Sequence, residues 1–218
     1  MASVEGNGGN RTLERVAAIL DAVGASAVSA SELAPRTGLS VSTAHRMALS
    51  MAAYGFLTRD ADRGSRMGER FVRSALVNAA APVLADLRQA TGETAQLWVR
   101  RGDERVCVLS LDSPHELRAT LPVGSSLPLP AGSSGRILAG DQAALADVAR
   151  QGWVESVGVR TPGLGPVSAP VVLDGASAAT VCVAVPLARV QSTPGLDYGR
   201  QTVAAARRIA EAMASRNR

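Results

Sequence analysis

Apolar residues recur at helical spacing near the start of the chain. Leu13, Val16, Ala17, Leu20 and Val23 fall on one face of a helix predicted over residues 12–23. Ser29-Ala-Ser-Glu32 has the form of a capping box and opens a second, short helix. Pro35 lies early in it. With Ser31 as the cap, the proline would occupy the first turn, where a missing N–H costs little. Gly38 ends that helix, as a glycine past a helix C-terminus does. Ser40 caps a third helix that runs to about Tyr54, and Gly55 stops it. Residues 56–59 read as a strand, 60–64 as a turn, and 65–67 as a returning strand. Helix, short helix, glycine turn, helix and hairpin is the order of a winged helix-turn-helix, predicted over residues 11–68.

On a helical projection of the third helix, Val41, Ala44, Ala48 and Met51 share one side and are expected to pack inward. Arg46 lies almost opposite, flanked by Ser42, Thr43, Ser50 and Ala53. Small polar side chains around one arginine suit close approach to a major groove, where a guanidinium hydrogen-bonds guanine with two donors. A solvated helix face is the plain alternative. His45 sits at the edge of the apolar stripe. It is read either as a locally bonded boundary histidine or as a phosphate contact.

Phe71, Ala75, Val77, Ala80, Val83, Leu84 and Leu87 extend helical spacing over residues 69–90. Pro82 is expected to kink this stretch or to open a new helix within it. The reading is a linker helix, 69–82, joined to the first helix of a second domain, 83–218. The apolar stripe of the linker either forms a dimer seam or packs on its own domain. Farther on, strands are predicted at 95–100, 105–111, 117–122, 152–159, 167–172 and 180–185. Helices are predicted at 132–139, 143–151 and 196–215. Mixed runs of strands and helices make this second domain α+β.

Charge sharpens the picture. The 218 residues carry 23 basic side chains, all arginine, and a formal net charge of +4. Residues 36–73 hold seven arginines and three acids, so this segment alone accounts for the whole excess. A compact basic patch predicts a polyanion partner, most simply nucleic acid. Apolar residues make up 46 % of the chain, which excludes whole-chain disorder. No apolar run reaches the roughly 20 residues of a membrane span. Residues 1–10 are Gly/Asn-rich, are expected to be disordered, and show no signal pattern, so a cytoplasmic protein is expected. Cys107 and Cys182 sit in apolar runs and are read as reduced, buried thiols.

Catalytic constellations are absent. The chain has two histidines, His45 and His115, and no nucleophile elbow, P-loop, zinc-protease motif or complete dinucleotide glycine pattern. Cys107, Cys182 and His115 are too few and wrongly spaced for zinc. Neither an enzyme nor a cofactor is expected. Gly132-Ser-Ser-Gly135 reads as a helix N-terminus able to meet a ligand oxygen, or as a structural turn.

The chain resembles the IclR family of bacterial transcriptional regulators over nearly its whole length. In the first domain the likeness rests on Leu33-Ala-x-x-Thr-Gly-Leu39, Ser42-Thr-Ala-His-Arg46 and Tyr54-Gly-Phe-Leu57. In the second it rests on Pro82-Val-Leu-x-x-Leu87, Thr91-Gly-Glu-Thr-Ala-Gln-Leu97, Val123-Gly-Ser-Ser-Leu-Pro-Leu129, Ser134-Gly-Arg-Ile-Leu-Ala139 and Ser168-Ala-Pro-Val171. Gln96-Leu-Trp, Arg118-Ala-Thr-Leu-Pro-Val-Gly124 and Ser156-Val-Gly-x-Arg-x-Pro-Gly163 look most like the actinobacterial NdgR branch. The resemblance implies an N-terminal winged helix on promoter DNA, a GAF-like C-terminal effector domain, and assembly as a homodimer or a dimer of dimers on a pseudo-palindromic operator. Ser42, Thr43, His45, Arg46 and Ser50 are the expected readers of DNA, with Arg59, Arg63 and Arg66 of the wing on its backbone or minor groove. The implied effector cleft is lined by Gly132, Ser133 and Ser134. Where the family carries polar cleft groups, this chain aligns Ser156 or Val157, then Pro166, Cys182 and Ala184, so the cleft is expected to be reshaped, opened or unused.

The arginines near that cleft, Arg118 and Arg136 with Arg160, suggest a small carboxylate effector, such as an amino acid or a relative. The alternative for these arginines is solvation, or pairing with Asp112 and Glu116. The function expected is control of metabolic, and specifically amino-acid, genes. Two other classes remain. One is a constitutive DNA-binding dimer whose second domain only assembles; the other is a small-molecule enzyme with a basic appendage.

Overall fold

The computed structural model describes residues 10–23, 27–59 and 64–215. They form two compact units that divide between Ala75 and Leu76.

The first unit begins with α1 (Arg11–Ala22), whose N–H at Thr12 is capped by the Asn10 side chain. Its buried stripe is centred on Ile19, flanked by Val16, Leu20 and Val23. Leu13, expected inward, is 65 % exposed, because the helix is anchored only through its C-terminal turns. In α2 (Ala30–Thr37) the cap is Ser29 and not Ser31: Ser29 and Glu32 close the full capping box. Pro35 is therefore inside the helix rather than in its first turn. Gly38 follows in a left-handed conformation (φ 68°), which lets the chain turn sharply into the next helix. α3 (Val41–Ala53) is capped by Ser40. Ala44, Ala48 and Met51 pack inward as its periodicity predicts. Val41 does not; it is 51 % exposed. As the first helical residue its side chain points back beyond the helix start, where no preceding turn lies beneath it. β1 (Leu57–Arg59) and β2 (Ser65–Met67) pair antiparallel, and Val28 bridges to Ser65. Gly68 closes the unit by lying against the backbone of Gly55 and Phe56, too tightly for a Cβ.

Glu69–Thr91 is one continuous helix, α4, with Pro82 inside it. A separate linker helix and a break at Pro82 are not seen. Pro82 is exposed, as is Asn78, whose carbonyl loses its helical donor, so solvent can satisfy that group. The apolar stripe from Leu76 through Ala80 and Leu84 to Leu87 is buried.

The second unit is built on a six-stranded antiparallel sheet in the order β5-β4-β3-β8-β7-β6. The strands are β3 (Thr94–Arg101), β4 (Glu104–Leu111), β5 (Ser126–Pro128), β6 (Val154–Glu155), β7 (Val167–Leu173) and β8 (Ala176–Ala184). Alternation gives each strand two faces. On one side, α7 (Pro194–Ser215) lies on β7 and β8, and Arg208 of α7 bonds Asp86 of α4 at 2.8 Å. On the other side, α5 (Gly132–Ala139) crosses β7 and β8, with α6 (Gln142–Gln151) beside it. Trp153 lies flat on Gly195 and Gly199 of α7. Residues 117–122, predicted as a strand, are irregular. The edge of β4 is instead occupied by β5 and by Gly124 and Ser125, which exchange hydrogen bonds with Cys107.

Candidate functional site

The first candidate surface is carried by α3 and the β1–β2 hairpin. Burying Ala44, Ala48 and Met51 leaves Ser42, His45, Arg46 and Ser50 exposed, with Thr43 half-buried. The hydroxyls of Ser42 and Thr43 are not idle. Both bond the Ser40 cap hydroxyl, at 3.1 and 2.9 Å, so they hold the start of α3. Arg46 and Ser50, one turn apart, project free of that network on the face opposite the core. Arg59 and Arg66 are exposed on paired strands, where Thr58 faces Arg66. Arg63 lies outside the described residues. Arg36, counted in the basic patch, donates to the Ala22 carbonyl at 3.1 Å and so closes the end of α1.

The second candidate is a cleft within the second unit. Its floor is one face of the sheet: Gln96 and Trp98 of β3, Arg105 of β4, and Cys182 and Ala184 of β8. Its walls are the irregular segment at Ala119–Leu121, the loop at Val159–Thr161, and the start of α5 at Gly132. The enclosed volume is about 50 Å³. Gly132, Ser156, Cys182 and Ala184 line this cleft, with Pro166 and Arg160.

The other sequence candidates do not line it. Ser133 and Ser134 are fully buried, and both hydroxyls bond Ser168 of β7, at 2.8 and 2.7 Å. They fasten α5 to the sheet. Arg136 points away and grips Asp141 through Nε and Nη2 at 3.2 and 2.9 Å. Asp141 also caps α6 by accepting from the Ala144 N–H at 2.8 Å. Arg118 donates to the His115 carbonyl and stands 3.8 Å from Asp112, so pairing outcompetes the cleft.

Sequence reasoning passed over Arg105. It is 5 % exposed, and its guanidinium stacks over the Trp98 ring at 4.4 Å. Its Nε has no hydrogen-bond partner. Burial, with Arg160 nearby, pushes its pKa down. The available signal was an arginine in register with apolar Cys107 on the inward face of a strand. Burial likewise pushes the Cys107 thiol up to about 12, and raises Cys182. Among the described residues no three His, Cys, Asp or Glu side chains are grouped as metal ligands, and no helix is long and apolar enough to cross a membrane.

Comparison with known proteins places both surfaces in context. Residues 12–61 match the IclR helix-turn-helix domain, and residues 70–144 match the C-terminal domain of the bacterial transcriptional regulator IclR. The HTH-type transcriptional regulator BhcR of Paracoccus denitrificans is 30 % identical, over 97 % of this chain and 90 % of its own. A solved IclR-family regulator from Rhodococcus superposes with a TM-score of 0.63 at 27 % identity, covering 97 % of both chains. An IclR homologue from Microbacterium hydrocarbonoxydans, solved with 4-hydroxybenzoate, has the same fold. Its TM-score is 0.58 at 24 % identity, over 94 % of this chain and 99 % of that one.

Proposed function

The chain belongs to the IclR family of bacterial transcriptional regulators, a DNA-binding helix-turn-helix joined to a ligand-binding domain, and on that premise we propose how it works. Arg46 and Ser50 of α3 read bases in a major groove. Ser42 and Thr43 hold the helix start against the backbone, His45 meets a phosphate, and Arg59, Arg63 and Arg66 track the flanking phosphates or minor groove. One such head covers one half-site. A homodimer, or a dimer of dimers, therefore reads a pseudo-palindromic operator. The observation that carries this reading is the face of α3: Arg46 and Ser50 stand exposed opposite Ala44, Ala48 and Met51, which the core absorbs.

The effector is a small carboxylate held in the cleft over β3, β4 and β8. Cleft residues Gly132, Ser156, Cys182 and Ala184 support this, with Arg105 and Arg160 as the charges. That a fold neighbour was solved with the carboxylate 4-hydroxybenzoate agrees with this class. The segments that look NdgR-like make amino-acid genes the first candidate targets. Effector binding shifts a two-state equilibrium of the DNA-bound form, which requires unequal affinity for the two states.

Genomic DNA pull-down with the purified protein tests this, with and without a pool of amino acids and 2-oxo acids. A pseudo-palindrome whose enrichment the pool changes is the expected result. Enrichment indifferent to every member of the pool would favour constitutive binding, and no enrichment at low salt would remove the DNA role. Sedimentation of the DNA-free protein reports the dimer directly.

A further inference from the structure

A buried cation is stable only when something compensates it. Arg105 has stacking on Trp98 at 4.4 Å and nothing polar at Nε. No Asp or Glu lines the cleft around it. The second charge there, Arg160, has the same sign and makes the deficit larger. Stacking fixes the plane of the guanidinium, and Nε on its edge is buried without a hydrogen-bond partner. On that edge Nη2 lies 3.3 Å from the place where a Cβ of residue 132 would stand, and Gly132 has none. Gly132 therefore keeps a gap open beside the donors. Ser156 Oγ is 3.9 Å from the same point. The remaining lining is largely apolar: Ala119, Leu121, Leu164, Pro166 and Ala184.

We propose that Arg105 anchors the effector carboxylate, side-on through Nε and Nη2, and that the effector is an apolar carboxylate without an ammonium group. This rests on the effector-cleft reading and narrows it. A carboxylate matches the forked donor edge of arginine. The apolar body lies along Leu121 and Leu164 of the lining. An α-ammonium would enter a cleft with two arginines and no acid. A zwitterionic amino acid is thus a worse ligand than the matching simple or 2-oxo acid. The anchor is a strand residue, and the serines of α5 play no part, being spent on Ser168.

Calorimetry on the full chain tests this with matched probes: 4-methylpentanoate and benzoate, their neutral amides, and L-leucine and L-phenylalanine. At least one carboxylate is expected to bind. Its amide and its amino-acid counterpart should be at least tenfold weaker. Arg105→Met keeps an unbranched stem on Trp98. It should weaken the carboxylate at least tenfold and leave the amide unchanged, while Arg136→Ala changes neither. Ligand-free Arg105→Met should melt no lower than the parent, because an uncompensated charge has gone; a purely structural arginine would give a lower melting point. Carboxylate binding unaffected by Arg105→Met overturns the anchor. An amino acid binding as well as its acid overturns the charge argument, and no binding by either carboxylate overturns both. The cleft reading stands separately. Any metabolite whose binding Val159→Trp blocks at the mouth preserves it, whereas ligand binding indifferent to Val159→Trp and Arg105→Met removes it too.

Discussion

Arg46 and Arg59 carry the same charge on surfaces of different shape. Arg46 rises from the middle of an exposed helix face among short side chains, so its guanidinium can reach base edges. Arg59 ends a strand of a narrow hairpin, and the contact proposed for it is with the DNA backbone. Arg46→Ala is expected to weaken specific binding by about 1–3 kcal/mol and to relax one base position. Arg59→Ala should lower affinity evenly across operator variants and flatten the salt dependence. Mobility shifts over single-base operator variants separate the two, and exchanged patterns would exchange the roles. Ser168 makes a different point. Its one hydroxyl serves both Ser133 and Ser134 inside the core. Ser168→Ala removes the shared partner of two buried hydroxyls, and should cost about 1–3 kcal/mol in urea denaturation. An unchanged midpoint would mean that the two serines bond each other instead. Ser133 and Ser134 read from sequence as ligand groups because spacing says nothing about which side of a short helix the sheet occupies. Arg105 was hidden for the converse reason. An arginine at a strand start reads as exposed, although alternation puts Arg105 on the same face of β4 as the buried Cys107.

At the level of elements, caps, glycines and the short β1–β2 hairpin were legible, and the pairings of the large sheet were not. Ser29, Gly38 and Ser40 delimit α2 and α3 through local hydrogen bonds and backbone conformation, which a sequence window contains. Residues 117–122 alternate like a strand, and Ala119 is indeed buried while Thr120 is exposed. Yet β4 gives its free edge to Ser125 and Ser126, eight residues on, and no window around 117–122 records that competition. Pro82 read as a break because local rules assign the lost hydrogen bond a cost of about 3 kcal/mol. Burial of the Leu76–Leu87 stripe and solvent access on the proline side outweigh it. The seat of Trp153 is a contact of this kind that can be tested. Gly195 and Gly199 are one turn apart on α7 and flatten it for the indole, while Glu155 accepts from the Gly195 N–H at 2.6 Å. A side chain at 199 would overlap the ring. Gly199→Val should therefore cost about 1–3 kcal/mol by overpacking. The loss should shrink in a Trp153→Ala background, which removes the obstacle along with the indole's own packing. Equal losses in both backgrounds, read from thermal melts, would assign the effect to α7 itself.

Among the described residues each unit has its own buried cluster, one around Ile19 and Leu33 and one on the six-stranded sheet. Each unit also carries, outside that cluster, an acid tied to a helix start. Glu32 is held below its ordinary value of 4.5, first by the Ser29 N–H and then by the Ser29 hydroxyl. Asp141 is held below 3.8, first by the Ala144 N–H and then by Arg136. Both carboxylates bind protons less readily folded than unfolded. Each therefore contributes stability that is complete above its ordinary value and is lost as pH falls through the depressed folded value. Acid weakens both units, but through different residues. The two acids draw on different partners, Ser29 and Arg36 for one and Ala144 and Arg136 for the other, so their effects add. Calorimetric scans from neutral pH down through 4.5 and 3.8 should accordingly show two transitions, both moving to lower temperature. Glu32→Gln should flatten the acid dependence of one transition and Asp141→Asn that of the other. The cysteines add no tie between β4 and β8. Cys107 pairs with Trp98, and Cys182 with Gln96, on opposite sides of β3. Two strand spacings, about 9–10 Å, exceed the reach of a disulfide. The transitions should then be the same with and without reductant. A single transition whose acid dependence responds to either carboxylate variant would show instead that the two cores unfold as one.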